Sequence, residues 1–209
     1  IGDYAYVTTG YTGDEYLKDL WAYNSNGDYW EQKADFTGFG RISYSSFYLN
    51  EKGYVGLGYD GTNKLKDFFQ YDPTSNSWTQ KTDFAGTARY AAVGFQAGGK
   101  AYFGTGYDGN YLKDFYQYDP SSNSWNQKTD FGGTGRYGAV GFQAGGKAYF
   151  GTGYDGNYLK DFYQYDDQAN TWTLVNGFSG NKRRNATVFV ISDKAYLVTG
   201  VNNGVYQED

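Results

Sequence analysis

Four arginines stand at one period along the chain: Arg41, Arg89, Arg136 and Arg183 are 48, 47 and 47 residues apart. A guanidinium presents a fork of donors that matches a carboxylate, so arginines brought to one place would hold acidic groups. Asp60, Asp108 and Asp155 recur at the same period inside Tyr-Asp-Gly triplets, and Tyr16, Tyr111 and Tyr158 lie further along the same segments. Aromatic faces beside carboxylates and amides suit a sugar, whose C–H surface stacks on a ring while its hydroxyls are hydrogen-bonded. Both sets also have a plainer reading. Asp-Gly is a turn dipeptide, and each arginine could staple a loop by pairing with a nearby carboxylate such as Asp83 or Asp130.

Other chemistries are ruled out by residue type. The sequence contains no His and no Cys, which removes His-based triads, thiolate nucleophiles and the commonest transition-metal ligands. The YDG turns offer one carboxylate each, where a calcium loop alternates several, so neither a metal nor another cofactor is expected. The pairs Lys18-Asp19, Lys66-Asp67, Lys113-Asp114 and Lys160-Asp161 read as solvated strand ends. A net charge of −5 opposes binding to nucleic acid. No stretch approaches the roughly 18 apolar residues of a membrane-spanning helix, so no membrane insertion of this segment is expected. Asn185-Ala186-Thr187 matches a glycosylation sequon but opens an expected strand. The chain begins at Ile1 rather than Met, which points to a mature or trimmed product.

The elements that must carry these residues follow from the repeat. Trp30, Trp78, Trp125 and Trp172 share its period, each preceded seven positions earlier by a tyrosine, and residues 98–119 recur unchanged at 145–166. One unit contains four short runs rich in β-branched and aromatic residues: 100–106, 114–119, 124–130 and 136–144. Each is bounded by Gly, Asn, Asp, Pro or Ser, and none shows helical periodicity. Four strands at a period in the forties describe a blade of a β-propeller. The Gly- and Ala-rich run 136–144 suits the crowded innermost position. The strand carrying Trp125 is expected outermost, its ring filling the wedge between blades.

An apolar strand, a glycine, Tyr-Asp and a Trp separated from that Tyr by six residues make this sequence resemble the kelch family over nearly its whole length. The resemblance implies an all-β, kelch-type propeller of four-stranded antiparallel blades. About 4.5 repeats are present, in units of roughly 1–49, 50–97, 98–144, 145–191 and a partial 192–209, within a single domain spanning 1–209. Where kelch repeats carry adjacent glycines, this chain has Gly104-Thr105-Gly106 and Gly151-Thr152-Gly153. Galactose oxidases share the kelch propeller, but their copper site needs His ligands and a Tyr-Cys crosslink that this chain cannot form. Ligand-binding kelch propellers hold acidic peptides with arginines at matching positions. That implies a ring of Arg41, Arg89, Arg136 and Arg183 at the channel mouth, on the face bearing the longer loops. The repeat also resembles kelch-containing surface proteins of Bacteroidetes-type bacteria, which implies an extracellular or cell-surface location.

Strand counting gives 18, running from a second strand at 4–10 to a third strand at 205–209. The termini do not complement each other in a five-blade ring, so the expectation is an arc of a larger propeller, with a five-blade ring as the alternative. An arc leaves open edges, inviting self-association or blades supplied by the rest of a longer chain. Because nearly identical loops recur, repeated contacts are expected rather than one asymmetric catalytic centre. The expected function is a non-catalytic module for binding or assembly with a protein or glycan partner. The alternative is a sialidase- or mutarotase-like carbohydrate-active enzyme using Arg, Asp and Tyr on the long-loop face.

Overall fold

The computed structural model describes all 209 residues, Ile1–Asp209, and every regular element is a strand. Two compact units, Ile1–Tyr90 and Ala91–Asp209, are described in turn. In the first, β1 (Tyr4–Tyr11), β2 (Tyr16–Asn24) and β3 (Tyr29–Lys33) form a three-stranded antiparallel sheet. There β4 (Ser45–Leu49), β5 (Lys52–Gly56), β6 (Phe68–Asp72) and β7 (Ser77–Gln80) form a four-stranded one, each strand pairing with the next.

The second unit repeats the four-stranded plan twice. One sheet contains β8 (Val93–Ala97), β9 (Lys100–Gly104), β10 (Phe115–Asp119) and β11 (Ser124–Gln127). The next contains β12 (Val140–Ala144), β13 (Lys147–Gly151), β14 (Phe162–Asp166) and β15 (Thr171–Val175). A pair, β16 (Thr187–Ile191) with β17 (Lys194–Val198), and a short hairpin, β18 (Val201–Asn202) with β19 (Val205–Tyr206), follow. These are meandering blades of a propeller-like fold, as the repeat predicts.

Local sequence explains the blade. The hairpin joining β8 to β9 turns at Gly98 and Gly99, whose φ values of 55° and 71° are the left-handed pair that a tight hairpin requires. Along β8, Val93, Phe95 and Ala97 are buried while Gly94 and Gln96 are half-buried, the alternation of a strand packed on one face. The first strand β12 lies against both β8 and β16. At Gly141 of β12 an added Cβ would come within 2.7 Å of Val93, so the glycine expected from crowding at the innermost position is required there.

Aromatic rings fill the wedge between sheets of the second unit. Trp172 of β15 packs edge-on against Phe115 of the preceding sheet at 5.0 Å and against Phe131 at 5.1 Å. Phe95, Tyr102, Phe131, Phe150 and Tyr165 complete that core. In the first unit Phe36, Val55 and Phe69 form the corresponding cluster, with Trp78 against it.

Two local expectations need correction. Trp30 is 54% exposed on β3 and lies tilted against its neighbour Tyr23, at 5.2 Å. Residues 205–209 are not a third strand, because Val205 and Tyr206 turn back to pair with Asn202 and Val201. Asp209 then stands where Asp67 and Asp161 stand in earlier repeats, just before a third strand begins. The four-strand sheets are also shorter than predicted: 128–130 and 136–139 belong to connections.

Candidate functional site

The arginines come first, because the sequence singles them out most strongly. Each lies in the connection into a first strand, and each has 0% exposure. Arg136 Nε donates to Thr134 O at 3.1 Å, and Nη1 donates to Thr152 O at 3.0 Å and Asp161 Oδ1 at 2.6 Å. Its Nη2 donates to Thr134 Oγ1 at 3.2 Å and Asp161 Oδ2 at 2.8 Å. All five N–H donors of this guanidinium are therefore used. Its plane also lies 4.8 Å from the Phe131 ring. Arg41 repeats the clamp with Leu57 O and Asp67, and Arg183 repeats it with Thr199 O and Asp209. Arg89 is equally buried, bonds to Thr87 and lies 5.0 Å from Phe84.

This placement corrects the expectation that Arg41, Arg89, Arg136 and Arg183 hold a ligand at a channel mouth. A guanidinium without access to solvent, whose donors are committed to its own chain, cannot take a partner's carboxylate. It also corrects the carboxylate expected in the stapling alternative: Asp130 approaches Lys113 instead, at 4.0 Å. The partners Asp67 and Asp161 belong to the Lys-Asp pairs, so those aspartates anchor arginines rather than solvate strand ends.

The clamp has a local purpose. Leu57, Thr152 and Thr199, whose carbonyls the arginines hold, have φ of 62°, 59° and 59°. Non-glycine residues pay about 1–2 kcal/mol for that left-handed region. Charged hydrogen bonds to the carbonyl offset this cost and hold the sharp exit from the second strand. The Gly-Thr-Gly sequences thus put a threonine where backbone geometry favours glycine.

The aspartates of the YDG triplets are turn builders. Asp60 Oδ1 accepts from the amides of Thr62 and Asn63, Asp108 Oδ1 from that of Asn110, and Asp155 Oδ1 from that of Asn157. Asp155 has a further link, accepting from Thr134 Oγ1 at 2.7 Å, and Thr134 in turn accepts from Arg136. Burial would raise the Asp155 carboxyl, but the bonds from Thr134 and Asn157 and the nearby Arg136 charge together hold it below its ordinary value.

These turns present tyrosines on one loop face of the second unit. Bridges pair Tyr107 with Tyr111, Tyr154 with Tyr158, and Tyr137 with Tyr154. The Tyr111 ring lies nearly parallel to Tyr137 at 6.0 Å and edge-on to Tyr154 at 6.0 Å. Tyr107 lies 5.7 Å from Tyr137, and Tyr158 lies 4.9 Å from Tyr154. Arg184 enters this group. Its guanidinium carbon is 5.1 Å from the Tyr137 and Tyr154 ring centres and 5.6 Å from that of Tyr158. Arg184 Nη1 meets the Tyr137 hydroxyl, while its Nε is buried without a hydrogen-bond partner. Desolvation and the neighbouring Tyr154 raise the Tyr111 hydroxyl above its ordinary value of 10.0, so at neutral pH it is a protonated donor.

Of the candidates named from sequence, Tyr111, Tyr158 and Asp155 therefore lie in or beside one cluster, and Asp108 builds the turn that follows Tyr107. Tyr16 and Asp60 lie in the first unit, where Tyr16 stacks on Tyr11 at 4.7 Å and contacts the Gly61 turn. The sequence reading missed Tyr137 and Arg184. The available signal was a break in the repeat: the residue after each buried arginine is Ile42, Tyr90, Tyr137 and then Arg184.

No family model matches this chain, and no curated protein matches it. Among solved structures it is similar to that of YjhT, with a TM-score of 0.80 and 18% identity over 96% of this chain and 70% of that one. At that identity the likeness shows the propeller-type fold alone.

Proposed function

We propose that this chain is a kelch-type propeller segment of an exported protein, acting as a non-catalytic binding module. Its binding surface is the tyrosine-lined loop face of the second unit. One observation carries the reading: Tyr107, Tyr111, Tyr137, Tyr154 and Tyr158 gather around Arg184, the one arginine of the cluster that departs from the repeat. Rings with two rotatable angles give contact area at small entropic cost, and their hydroxyls supply polar contacts at the rim. A partly buried guanidinium among them favours a ligand with an acceptor or a flat face. The kelch assignment is supported by the repeat pattern and by four-stranded blades, and binding of a protein or glycan partner by the half-buried tyrosine group with Tyr111 exposed at 39%.

A glycan array and a pull-down with the intact 209-residue chain test this reading. Any ligand found should bind at least about tenfold more weakly to Tyr111→Ala and to Arg184→Ala, which corresponds to about 1.4 kcal/mol. Tyr29→Ala, on β3 of the other unit, should bind normally. Folded Tyr111 and Arg184 variants that keep full affinity would sink the proposal, as would catalytic turnover of a bound sugar.

A further inference from the structure

Arg184 keeps open the fork of donors that the buried arginines close. Arg41, Arg136 and Arg183 each give Nη1 and Nη2 to the two oxygens of one aspartate, Asp67, Asp161 and Asp209 in turn. Arg184 pairs with no carboxylate: its Nη1 meets the Tyr137 hydroxyl, and its other contacts are with the rings of Tyr137, Tyr154 and Tyr158. Of its nitrogens only Nε is sealed away without a partner, so the N–H groups of Nη2 reach the surface. Both of these and one on Nη1 remain to be used. A half-buried cation among rings, in a chain of net charge −5, has lost water without gaining a counter-charge.

The backbone at this position is the same in other repeats. Ile42, Tyr137 and Arg184 form the same main-chain bridge, to Tyr59, Tyr154 and Val201. Arginine at 184 therefore alters the chemistry of the face while its frame stays as it is around Tyr137.

The rings limit what can bring the missing charge. Tyr111, 39% exposed, has Tyr137 and Tyr154 as neighbours, and Arg184 shares both. The Arg184 charge also acts on the Tyr111 hydroxyl. A flat C–H surface laid on Tyr111 thus brings its rim towards the guanidinium. A pyranose with an equatorial carboxylate has this shape, because the ring face stacks while the carboxylate lies near the mean plane of the ring, at its rim. An aspartate or glutamate side chain carries the charge but no such face. A neutral sugar has the face but leaves the guanidinium unpaired.

Given the binding role proposed for the tyrosine face, we infer that its ligand is an acidic glycan, with a hexuronate ring on Tyr111 and the carboxylate on Nη1 and Nη2 of Arg184. Hydrogen bonds between ionised groups are about twice as strong as neutral ones, and here they form beside rings that exclude water. The acid is therefore selected over its ester.

The probes are tetramers of galacturonate and of mannuronate, their methyl esters, and a hexaglutamate peptide, titrated calorimetrically into the full chain. At least one tetrauronate should bind about tenfold more tightly than its ester and than hexaglutamate. Arg184→Tyr restores the residue found at Tyr90 and Tyr137, so it should fold and should lose the preference for acid over ester. Arg184→Lys keeps the charge without the fork and should retain only part of that preference. Lys147→Gln removes the same charge at the hairpin end of β13 and should leave the preference unchanged. The proposal is overturned if no tetrauronate binds, if an ester or hexaglutamate binds as tightly as the acid, or if folded Arg184→Tyr keeps the preference. A neutral glycan that binds as tightly as any uronate and is lost in Tyr111→Ala would overturn acid selection while leaving the binding face standing. Uronate binding unchanged in folded Tyr111→Ala would strike the face itself.

Discussion

Arg136 and Asp161, separated by 25 positions in the chain, meet through two parallel hydrogen bonds of 2.6 and 2.8 Å, the arginine wholly buried and the aspartate at the surface end of the pair. The geometry ties the connection before β12 to the connection before β14, and the third anchor, Thr152 O, closes the triangle. The arginine period in the sequence is therefore a period of structural bolts.

Removing a bolt should cost stability rather than affinity. Arg136→Ala leaves Asp161 and the Thr152 carbonyl without their donor, and a loss of about 3 kcal/mol is expected. Arg136→Lys should recover only part of it, since a single ammonium cannot reproduce the fork. Chemical denaturation of the three proteins checks this. An Arg136→Ala protein as stable as its parent would show that the buried pair contributes nothing.

Thr152 should be improvable. It has φ of 59° and a buried hydroxyl without a partner. Thr152→Gly relieves both, and against the larger unfolded-state entropy of glycine a net gain of about 1 kcal/mol is expected. A lower denaturation midpoint would contradict the strain account.

Gly151→Ala should be harmful for the opposite reason. The new methyl would lie 2.4 Å from Asp161 O and 2.5 Å from the Phe162 ring, and the nearest of these is backbone. Overpacking at such a site costs about 2 kcal/mol. Pairing it with Phe162→Leu, which copies the match of Thr8 with Leu20, should recover part of the loss.

Stability should fall at both pH extremes. The bond from Arg183 holds the Asp209 carboxyl below its ordinary value of 3.8, and Asp155 is also lowered. A carboxylate lowered on folding stabilises the fold above its unfolded value, and that contribution disappears as pH falls below 3.8 through the folded values. On the alkaline side, burial pushes the Tyr71 and Tyr165 hydroxyls from 10.0 up to about 12. Their contribution is complete below pH 10 and is lost as pH rises through about 12. Denaturation midpoints followed against pH, with tyrosinate absorbance on the alkaline side, check both windows. Asp209→Asn should flatten the acid limb.

The blade plan was readable because it depends on short-range rules. Trp spacing, glycine pairs at hairpin turns and runs of alternating burial each act over a few residues, and the repeat multiplies the signal. The loop residues were less legible. Tyr111 and Tyr158 could be picked out as loop aromatics, yet Tyr137 sits beside a buried arginine and becomes part of the same group only when its connection bridges Tyr154. Arg184 looked like a second basic residue beside Arg183, and only the repeat register, with Ile42, Tyr90 and Tyr137 at the matching positions, distinguishes the buried one from the one among tyrosines.

The sequence by itself determined strands, their order within a blade and the turns between them, since β-propensity, glycine freedom and repeat length are properties of neighbouring residues. Tertiary structure decided the fate of each charge. Whether an arginine meets solvent or a carboxylate 25 or 26 positions away depends on where another connection passes. Burial then makes satisfying every donor obligatory, and so turned the most conspicuous binding candidates into scaffold.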